Sequence, residues 1–286
     1  MHVIICLLYT SKLISLIFFL LCAATHGLTQ ADTTFRLIKT IKGDIIQFTI
    51  DNLDNIYVLN SQNQVKKYNA SGDSVAIFND VRKYGKASLI DVSNPLKVLL
   101  YYRDFATVLM LDRFLNPVNT VDLRKQNIFQ ARAIAQSYDN KIWVYDEVEN
   151  KLKKIGEDGK LLQETPDFRL LLDQSVTPVK ISDENQFVYL YDSTKGVYVF
   201  DYFGSLKNVI QIRKWNNLKV AGNYIFGSVN DTLYRYEISS FMYDEWKLPA
   251  EIRNAAFFNF SNSRLYALRK DEDGKNAALS VYTLRR

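Results

Sequence analysis

Residues 51–58 read DNLDNIYV, and residues 137–144 read SYDNKIWV. Each stretch places a turn rich in Asp, Asn and Ser directly before a short run of β-branched and aromatic residues, which favour strands. The arrangement returns as SDENQFVYL at 182–190 and SNSRLYA at 261–267, with a variant SNPLKVL at 93–99 and a shortened copy AGNYIF at 221–226. The chain therefore contains six copies of one local pattern.

A second pattern follows the aromatic strand after a short gap. Residues 65–75 (VKKYNASGDSV), 152–161 (LKKIGEDGKL) and 197–206 (VYVFDYFGSL) each predict a strand, a turn containing Gly, and the start of another strand. Val108–Val118 and Leu233–Phe241 fit without the Gly. Glycine supplies the positive φ that a tight hairpin turn requires. Each repeat of about 40 residues thus predicts four antiparallel strands.

Four-stranded antiparallel units at this spacing are typical of propeller blades, so we predict an all-β, six-bladed β-propeller over residues 35–286. In the first unit we expect strands at Ile45–Ile50, Ile56–Asn60, Gln64–Tyr68 and Ser74–Phe78. The last unit offers only three, at Asn254–Phe260, Arg264–Leu268 and Leu279–Leu284, whereas a spare strand, FRLIKTI, occupies residues 35–41. Because an unpaired edge promotes aggregation, we expect this N-terminal strand to close the last blade and give a monomeric ring.

The Asp/Asn turn before the aromatic strand, and the Asp-x-x-Gly turn at residues 201–204, resemble the NHL/TolB-like group of six-bladed propellers. The resemblance covers about residues 35–286 and implies the fold. For function it implies only a range, because such propellers include enzymes, glycan binders and protein scaffolds.

The first 27 residues differ in composition from the rest. Val3–Leu8 and Leu13–Ala24 are almost wholly apolar, and small residues follow up to Gly27. This pattern predicts a signal peptide at residues 1–27, a short linker at 28–34, and an exported protein that is periplasmic or associated with the cell envelope, without a membrane span in the mature chain. Two alternatives stay open. Val3–Ala24 could remain as an uncleaved anchor of about 20 residues, or Cys22 could carry a lipid, although Leu21 makes a poor lipobox.

Cleavage of this leader would limit the chemistry of the mature chain. Both cysteines and both histidines lie within it, at Cys6, Cys22, His2 and His26. The mature domain would therefore hold no disulfide, no Ser-His-Asp triad, no cysteine nucleophile and no His-ligated zinc. Lys12 is the leader's only charged residue, so the mature chain keeps 31 acidic residues and all but one of the 36 basic ones. A net charge of about +4 is far below that of a nucleic-acid binder.

Basic residues recur in the loops that join each outer strand to the next blade. The candidates for ligand binding are Arg82, Lys83, Tyr84, Arg124, Lys125, Arg169, Arg213, Lys214, Trp215 and Arg253. Because these loops open on one face, such a ring could focus an anionic ligand. We therefore predict a non-catalytic binding or scaffold module for an envelope protein or an anionic glycan, without a cofactor. The competing interpretation is a solvated loop face whose charge is offset by acids at 146–149 and 271–273.

The alternative function is a calcium-dependent, lactonase-like hydrolase or lyase with its site at the central channel. Asp44, Asn217 and Asn254 stand near the starts of inner strands, where six chain segments converge, and oxygen ligands suit Ca²⁺. One carboxylate is a poor charge complement for a divalent cation. The simpler interpretation is that these groups satisfy strand ends and channel waters.

Two further expectations concern packing. We expect Lys66-Lys67 and Lys153-Lys154 to cover the solvent side of their blades, and Trp143 to pack inside its blade. Trp215 differs because it follows an outer strand in a loop, where its ring is a candidate platform for a sugar.

Overall fold

Six antiparallel sheets of four strands each form the ring of a β-propeller. The computed structural model describes residues 35–79, 81–253, 255–261, 264–271 and 276–284. The predicted fold class is confirmed. The predictions for residues 1–27 and 28–34, including Cys22, and the predicted calcium ligand Asn254 lie outside the described residues. No helix in the described ranges is long and apolar enough to span a membrane.

The blades follow one another in chain order, each beginning with its innermost strand. Blade 1 contains β2 (Gln47–Ile50), β3 (Ile56–Leu59), β4 (Val65–Tyr68) and β5 (Ser74–Phe78); blade 2 contains β6 (Leu89–Asn94), β7 (Lys97–Tyr102), β8 (Thr107–Asp112) and β9 (Pro117–Asp122). Blade 3 contains β10 (Ala131–Gln136), β11 (Ile142–Asp146), β12 (Lys151–Ile155) and β13 (Leu161–Glu164). The strands of blade 1 lie within two residues of their predicted starts.

The second half of the ring repeats this order. Blade 4 contains β14 (Lys180–Glu184), β15 (Phe187–Asp192), β16 (Gly196–Asp201) and β17 (Leu206–Ile210); blade 5 contains β18 (Asn216–Ala221), β19 (Tyr224–Val229), β20 (Thr232–Glu237) and β21 (Tyr243–Lys247). Blade 6 contains β22 (Phe257–Phe260), β23 (Arg264–Lys270) and β24 (Ala277–Leu284). Short helices α1 (Val81–Tyr84), α2 (Phe168–Leu171) and α3 (Ala250–Arg253) lie in the loops between blades.

The N-terminal strand β1 (Phe35–Gly43) completes blade 6 as its outer strand. It runs antiparallel to β24, from the pair Phe35 and Leu284 to the pair Gly43 and Ala277, with one irregularity between Leu37 and Lys39. The predicted ring closure is confirmed, and the described strands leave blade 6 with the same four-strand order as the others.

The hydrophobic core is divided among the six junctions between neighbouring blades. At the junction of blades 3 and 4, Trp143 and Tyr145 pack against Val188, Leu190 and Phe200. Trp143 is fully buried, as predicted. Neighbouring blades thus cover both faces of the second and third strands, whereas outer strands such as β13 and β21 are largely exposed.

This packing overturns the prediction for the paired lysines. Lys67, Lys153 and Lys154 are all buried, and only Lys66 is half-buried. Lys67 donates a hydrogen bond of 2.8 Å to the carbonyl of Arg113, in the next blade. Lys153 is 2% exposed, with its Nζ 2.8 Å from both Asp146 and Glu149. The prediction was wrong because alternation along a strand separates two faces, and here both faces meet another blade.

The repeated turns are stabilised by aspartate side chains. Asp51 Oδ1 accepts hydrogen bonds of 2.9 Å from the backbone N–H groups of Leu53 and Asn55. Asp201 Oδ1 likewise accepts hydrogen bonds from the N–H groups of Phe203 and Ser205, in the turn between the third and fourth strands of blade 4. A carboxylate that caps a tight turn in this way explains why Asp or Asn recurs at these positions.

Candidate functional site

The ring has two distinct ends. The loop face carries the loops that lead from each outer strand to the next blade, together with the turns between the second and third strands of the blades. The turn face, at the opposite end, carries the turns between first and second strands and between third and fourth strands. A central channel of about 580 Å³ lies between these ends and is lined by residues of all six inner strands. That volume is in the range of small-molecule sites.

Two lysines on neighbouring inner strands line this channel. Lys180 begins β14 and Lys219 lies in β18. The Nζ of Lys180 donates a hydrogen bond of 2.7 Å to the carbonyl of Leu218. Among the described residues no carboxylate lies within 4.0 Å of either ammonium group, and Lys219 has no side-chain hydrogen bond there. Neither ammonium group therefore forms an ion pair in the part of the chain that the structure describes.

A backbone irregularity places Lys219 at this point. The pairing of β18 with β19 is interrupted between Asn216 and Lys219, and Asn217 adopts a left-handed φ of 54°. Asn accepts this conformation more readily than most residues. A bulge commonly redirects the side chains beside it, so the sequence Asn-Asn before Leu218 has a direct effect on the channel lining.

The protein around the channel weakens the protonation of both lysines. Loss of hydration, reinforced by the nearby charge of Lys180, lowers the pKa of Lys219 to about 8, against the opposing attraction of Asp54, Asp51 and Glu184. Loss of hydration also lowers the pKa of Lys180. Lys219 is still mostly charged at pH 7, so the channel holds two ammonium groups beside the carboxyl groups of Asp91, Asp183 and Glu184, which also line it.

Two acids that line the channel, Asp91 and Glu184, accept hydrogen bonds from backbone N–H groups of a neighbouring blade. Asp91 accepts hydrogen bonds from the backbone N–H groups of Ser93 and Gln136, at 2.8 and 2.6 Å. Glu184 accepts one of 3.0 Å from the N–H of Gly222, and burial raises the pKa of its carboxyl. These contacts hold the inner strands together and leave the lysines available to an anion from solution.

Several of the predicted loop residues are paired in place. Arg124 makes a two-point contact with Asp122, through Nε at 2.8 Å and Nη2 at 2.9 Å. Arg169 bonds Asp167 in the same way. The Nε of Arg253 lies 3.7 Å from Asp231. Three of the five basic junctions are thus offset by a carboxylate within a few ångströms.

The other predicted loop residues divide into exposed and buried groups. Arg82, Lys83, Lys125, Arg213 and Lys214 are exposed on the loop face. The Nζ of Lys83 lies 4.8 Å from the ring centre of the neighbouring Tyr84, and Arg213 bonds Gln211. Tyr84 itself is buried and stacks on Tyr102 at 5.3 Å.

The expectation that Trp215 presents its ring on a loop is wrong. The side chain is 8% exposed and stacks on Tyr234 at 5.4 Å. Gly227 makes room for it, since a Cβ at that position would lie 2.6 Å from the indole Cε3. The ring is therefore core between blades 4 and 5.

The three residues predicted as calcium ligands in the alternative function are not seen together as one site. Asp44 accepts hydrogen bonds from Ser61, at 3.1 Å from its N–H and 2.5 Å from its Oγ. Asn217 lines the channel, and Asn254 lies outside the described residues. Calcium takes six to eight oxygen ligands, and no cluster of three or more His, Cys, Asp or Glu side chains within the described ranges could hold a metal.

Lys180 and Lys219 were not among the candidates from sequence. The signal available was a lysine inside an inner strand, in VKISDE at 179–184 and in NLKVA at 217–221. Because Lys66, Lys67, Lys153 and Lys154 also lie in strands, only the position of the strand within its blade separates the channel lysines from the rest.

Comparisons with known proteins support the fold. No protein-family model and no curated protein matches the sequence. Among solved structures, the WD40 domain of Neurospora crassa Pan2 is similar, with a TM-score of 0.58 and 10% identity, over 88% of this chain and 96% of that one. Streptogramin B lyase has a TM-score of 0.56 and 12% identity, over 87% and 88%. Virginiamycin B lyase from Staphylococcus aureus, solved with quinupristin, has a TM-score of 0.56 and 11% identity, over 86% and 99%. At these identities the similarity shows the fold alone, and by its fold the chain is a six-bladed β-propeller.

Proposed function

We propose that this chain is an exported, non-catalytic binding module of the NHL/TolB-like group that holds an anionic group of an envelope glycan or protein in its central channel. The observation that carries the proposal is the pair Lys180 and Lys219, which line one cavity without a carboxylate within 4.0 Å in the described residues. Lys180 is exposed to the channel and Lys219 is half-buried, so both ammonium groups can be reached by a ligand that enters it. A carboxylate, sulfate or phosphate group in the channel would supply the missing charge.

The channel also offers neutral hydrogen-bonding groups to such a ligand. Gln47, Asn216 and Asn217 line the same cavity, and each amide can donate to an anion. Hydrogen bonds between charged partners are stronger than neutral ones, so the lysines would supply most of the affinity and the amides the orientation.

In this proposal the exposed basic residues of the loop face attract the anion toward the channel. Arg82, Lys125, Arg213 and Lys214 stand on the loop face of the ring, where they would raise the local concentration of an anion. Their contribution would be to the association rate, and it would weaken with salt. Contact with the bound group would belong to the channel lysines.

The experiment compares the wild-type chain with Lys180→Met/Lys219→Met in thermal unfolding with and without sodium sulfate. We expect sulfate at about 100 times its Kd to stabilise the wild type by about 2.7 kcal/mol, which corresponds to a rise in Tm of about 5 °C or more for a domain of this size. The double variant should lose this rise. Lys160→Met, which removes an exposed lysine of the turn face, is the matched control and should keep it.

The unliganded proteins provide a second readout. Because the channel lysines carry an unfavourable charge, we expect the double variant without sulfate to be at least as stable as the wild type at pH 7. Lysines that serve only to hold the fold would give the opposite result. An equal rise in Tm with sulfate in both proteins would exclude the channel as the anion site.

A further inference from the structure

A second cleft lies on the turn face, between blades 3 and 4. It has a volume of about 490 Å³ and is lined by Tyr138, Asp183, Glu184, Asn185, Gln186 and Tyr202. The residues come from the turn between β10 and β11, the turn between β14 and β15, and the turn after β16. Turns from two neighbouring blades thus build one open depression.

The wall of this turn-face cleft is an aromatic stack. Tyr138 is 67% exposed, and its ring lies almost parallel to that of Tyr202, with the centroids 4.4 Å apart and an interplanar angle of 12°. Tyr202 stacks in turn on the buried Trp143, at 6.4 Å and 26°. An exposed ring anchored in this way presents a flat surface with little freedom left to lose on binding.

Charged side chains beneath the stack hold it in position. The carboxylate of Asp183 accepts hydrogen bonds from Trp143 Nε1 at 2.8 Å, from the Tyr202 hydroxyl at 2.6 Å and from Ser137 Oγ at 3.0 Å. The Nζ of Lys154 lies 4.9 to 5.6 Å from the centroids of all three rings. Asp183 and Lys154 are therefore committed to the stack itself.

The rim of the cleft is polar and strained. Asn185 and Gln186 form a two-residue turn in which both adopt left-handed φ angles, of 50° and 68°. Two left-handed residues in succession are the geometry of a type I′ hairpin turn, in which Asn is common and Gln is rare. Both side chains are exposed, and neither amide has a side-chain hydrogen-bond partner among the described residues. Four amide donors and acceptors are left facing solvent beside the aromatic surface.

We propose that the turn-face cleft binds an uncharged sugar ring of a saccharide. One face of the ring would stack on Tyr138, and neighbouring hydroxyl groups would bond to the amides of Asn185 and Gln186 and to Glu184. A sugar combines an apolar C–H face with a hydroxyl edge, which is the combination that an exposed tyrosine and paired amides complement. Among the described residues no basic side chain lines the cleft to pair with an anion, and a cation would meet a stack that already holds Lys154.

The experiment screens the full chain on an array of neutral glycans and measures the hits in solution by saturation-transfer NMR. We expect Tyr138→Ala to weaken binding at least tenfold and Tyr138→Phe to retain it, because the ring face makes the contact. Phe203→Ala removes another exposed aromatic of the same face, 88% exposed and outside the cleft, and should leave binding unchanged. Tyr138→Phe keeps the stack on Tyr202 and should keep the wild-type Tm, whereas Tyr138→Ala loses a contact worth about 0.5–1.5 kcal/mol and should stay folded with a Tm a few degrees lower.

Neither channel lysine lines the turn-face cleft, so glycan binding in the cleft and sulfate binding in the channel can be tested separately. Lys180→Met/Lys219→Met should bind neutral glycans as the wild type does. Absence of binding to every neutral glycan on the array, or equal affinity of Tyr138→Ala, would overturn the proposal. Preferential binding of a trimethyllysine peptide would assign the cleft to a cationic segment and would also overturn it.

Discussion

Lys153 lies in the middle of blade 3 with its ammonium group between Asp146 and Glu149. Asp146 is fully buried, so the pair depends on both charges being present. Removing one member of a buried pair leaves the other charge without compensation, which costs about 3–5 kcal/mol. We expect Lys153→Met to lower the free energy of unfolding by about that amount, as measured by urea denaturation.

Lys66→Met is the control for this substitution. Lys66 is half-buried and has no ion pair among the described residues, so its replacement should change stability by less than about 0.5 kcal/mol. Loss of hydration lowers the pKa of Lys153, but the hydrogen bonds to Asp146 and Glu149 outweigh it and raise that pKa above its ordinary value of 10.5. The stabilisation by this ion pair is thus complete below pH 10.5 and is lost as the pH rises through the higher pKa of the folded state. Similar stability of the two variants would show that the buried pair contributes little.

The titration of Lys219 gives a prediction for ligand binding. Its pKa of about 8 means that the unliganded channel loses one positive charge between pH 7 and pH 9. The affinity for sulfate, whose own charge is constant over this range, should fall about tenfold across it, since each pKa unit corresponds to a factor of ten. Calorimetric titration at pH 7, 8 and 9 measures this change. In Lys219→Met the pH dependence should shrink to the part that comes from Lys180, whose pKa is also lowered, and a pH-independent wild type would contradict the assignment of Lys219 as a ligand contact.

The lowered pKa of Lys219 also makes the free energy of unfolding depend on pH. Lys219 deprotonates in the folded chain at a lower pH than in the unfolded chain, where the pKa is near 10.5. Between these values the unfolded state binds more protons, so this residue makes the free energy of unfolding rise with pH from 8 to 10.5. Its contribution thus has the opposite slope to that of Lys153 at alkaline pH.

At the scale of the element, the hairpin between the third and fourth strands shows how tolerant the repeat is. Gly72, Gly159 and Gly204 supply positive φ angles of 91°, 81° and 84° at this turn, whereas blades 2 and 5 use Leu115 and Phe241 at 64° and 60°. A left-handed conformation costs a residue with a side chain about 1–2 kcal/mol, and glycine brings an entropic cost of about 0.5–1 kcal/mol.

Phe241→Gly should therefore stabilise the chain by about 0.5–1 kcal/mol, because Phe241 is exposed and gives up little packing. Gly204→Ala is the reverse case. Its φ is left-handed, and the new Cβ would lie 3.1 Å from Thr165 Cγ2, so it should destabilise. Thermal unfolding of the two variants measures both effects. A lower Tm for Phe241→Gly would show that the exposed ring contributes packing that outweighs the backbone strain.

The elements were largely predictable from sequence, and the candidate site was not. Turn residues and period-two alternation located the blade 1 strands within two residues of their starts, because both signals are local. The positions of Lys153 and Lys219 depend on which strand of a blade each occupies and on what covers that strand. The position of Trp215 was predicted wrongly for the same reason. It lies just outside a strand, yet its ring is buried because Gly227 has no side chain to occupy that space.

At the scale of the whole molecule, β1 decides whether the ring has an open edge. Deleting residues 35–43 would remove the β1 partners of eight residues in β24 and leave β24 as an exposed edge strand. We expect this variant to be insoluble or oligomeric, because an exposed edge pairs with other chains. Size-exclusion chromatography and the Tm test the prediction. A monomer with the wild-type Tm would show that closure is dispensable.

A permuted chain supplies the matched control. Phe35 pairs with Leu284, so residues 35–43 can be moved behind residue 286 through a short turn and then follow β24 as its hairpin partner. This chain would have the connectivity of the other five blades. It should be monomeric with a Tm close to that of the wild type, whereas continued aggregation would place the defect elsewhere than at the edge.

The contact between Phe35 and Leu284 also sets an order of events during synthesis. Blades 1 to 5 pair strands that are close in sequence and can form while the chain is still being made, whereas the last sheet pairs β1 with β24, far apart in the sequence. Closing so long a loop costs more entropy than closing a hairpin, and structures with high contact order fold slowly. β1 is synthesised before the other described strands but is thus among the last of them to pair, and a nascent chain interrupted before residue 277 leaves β1 without its partner.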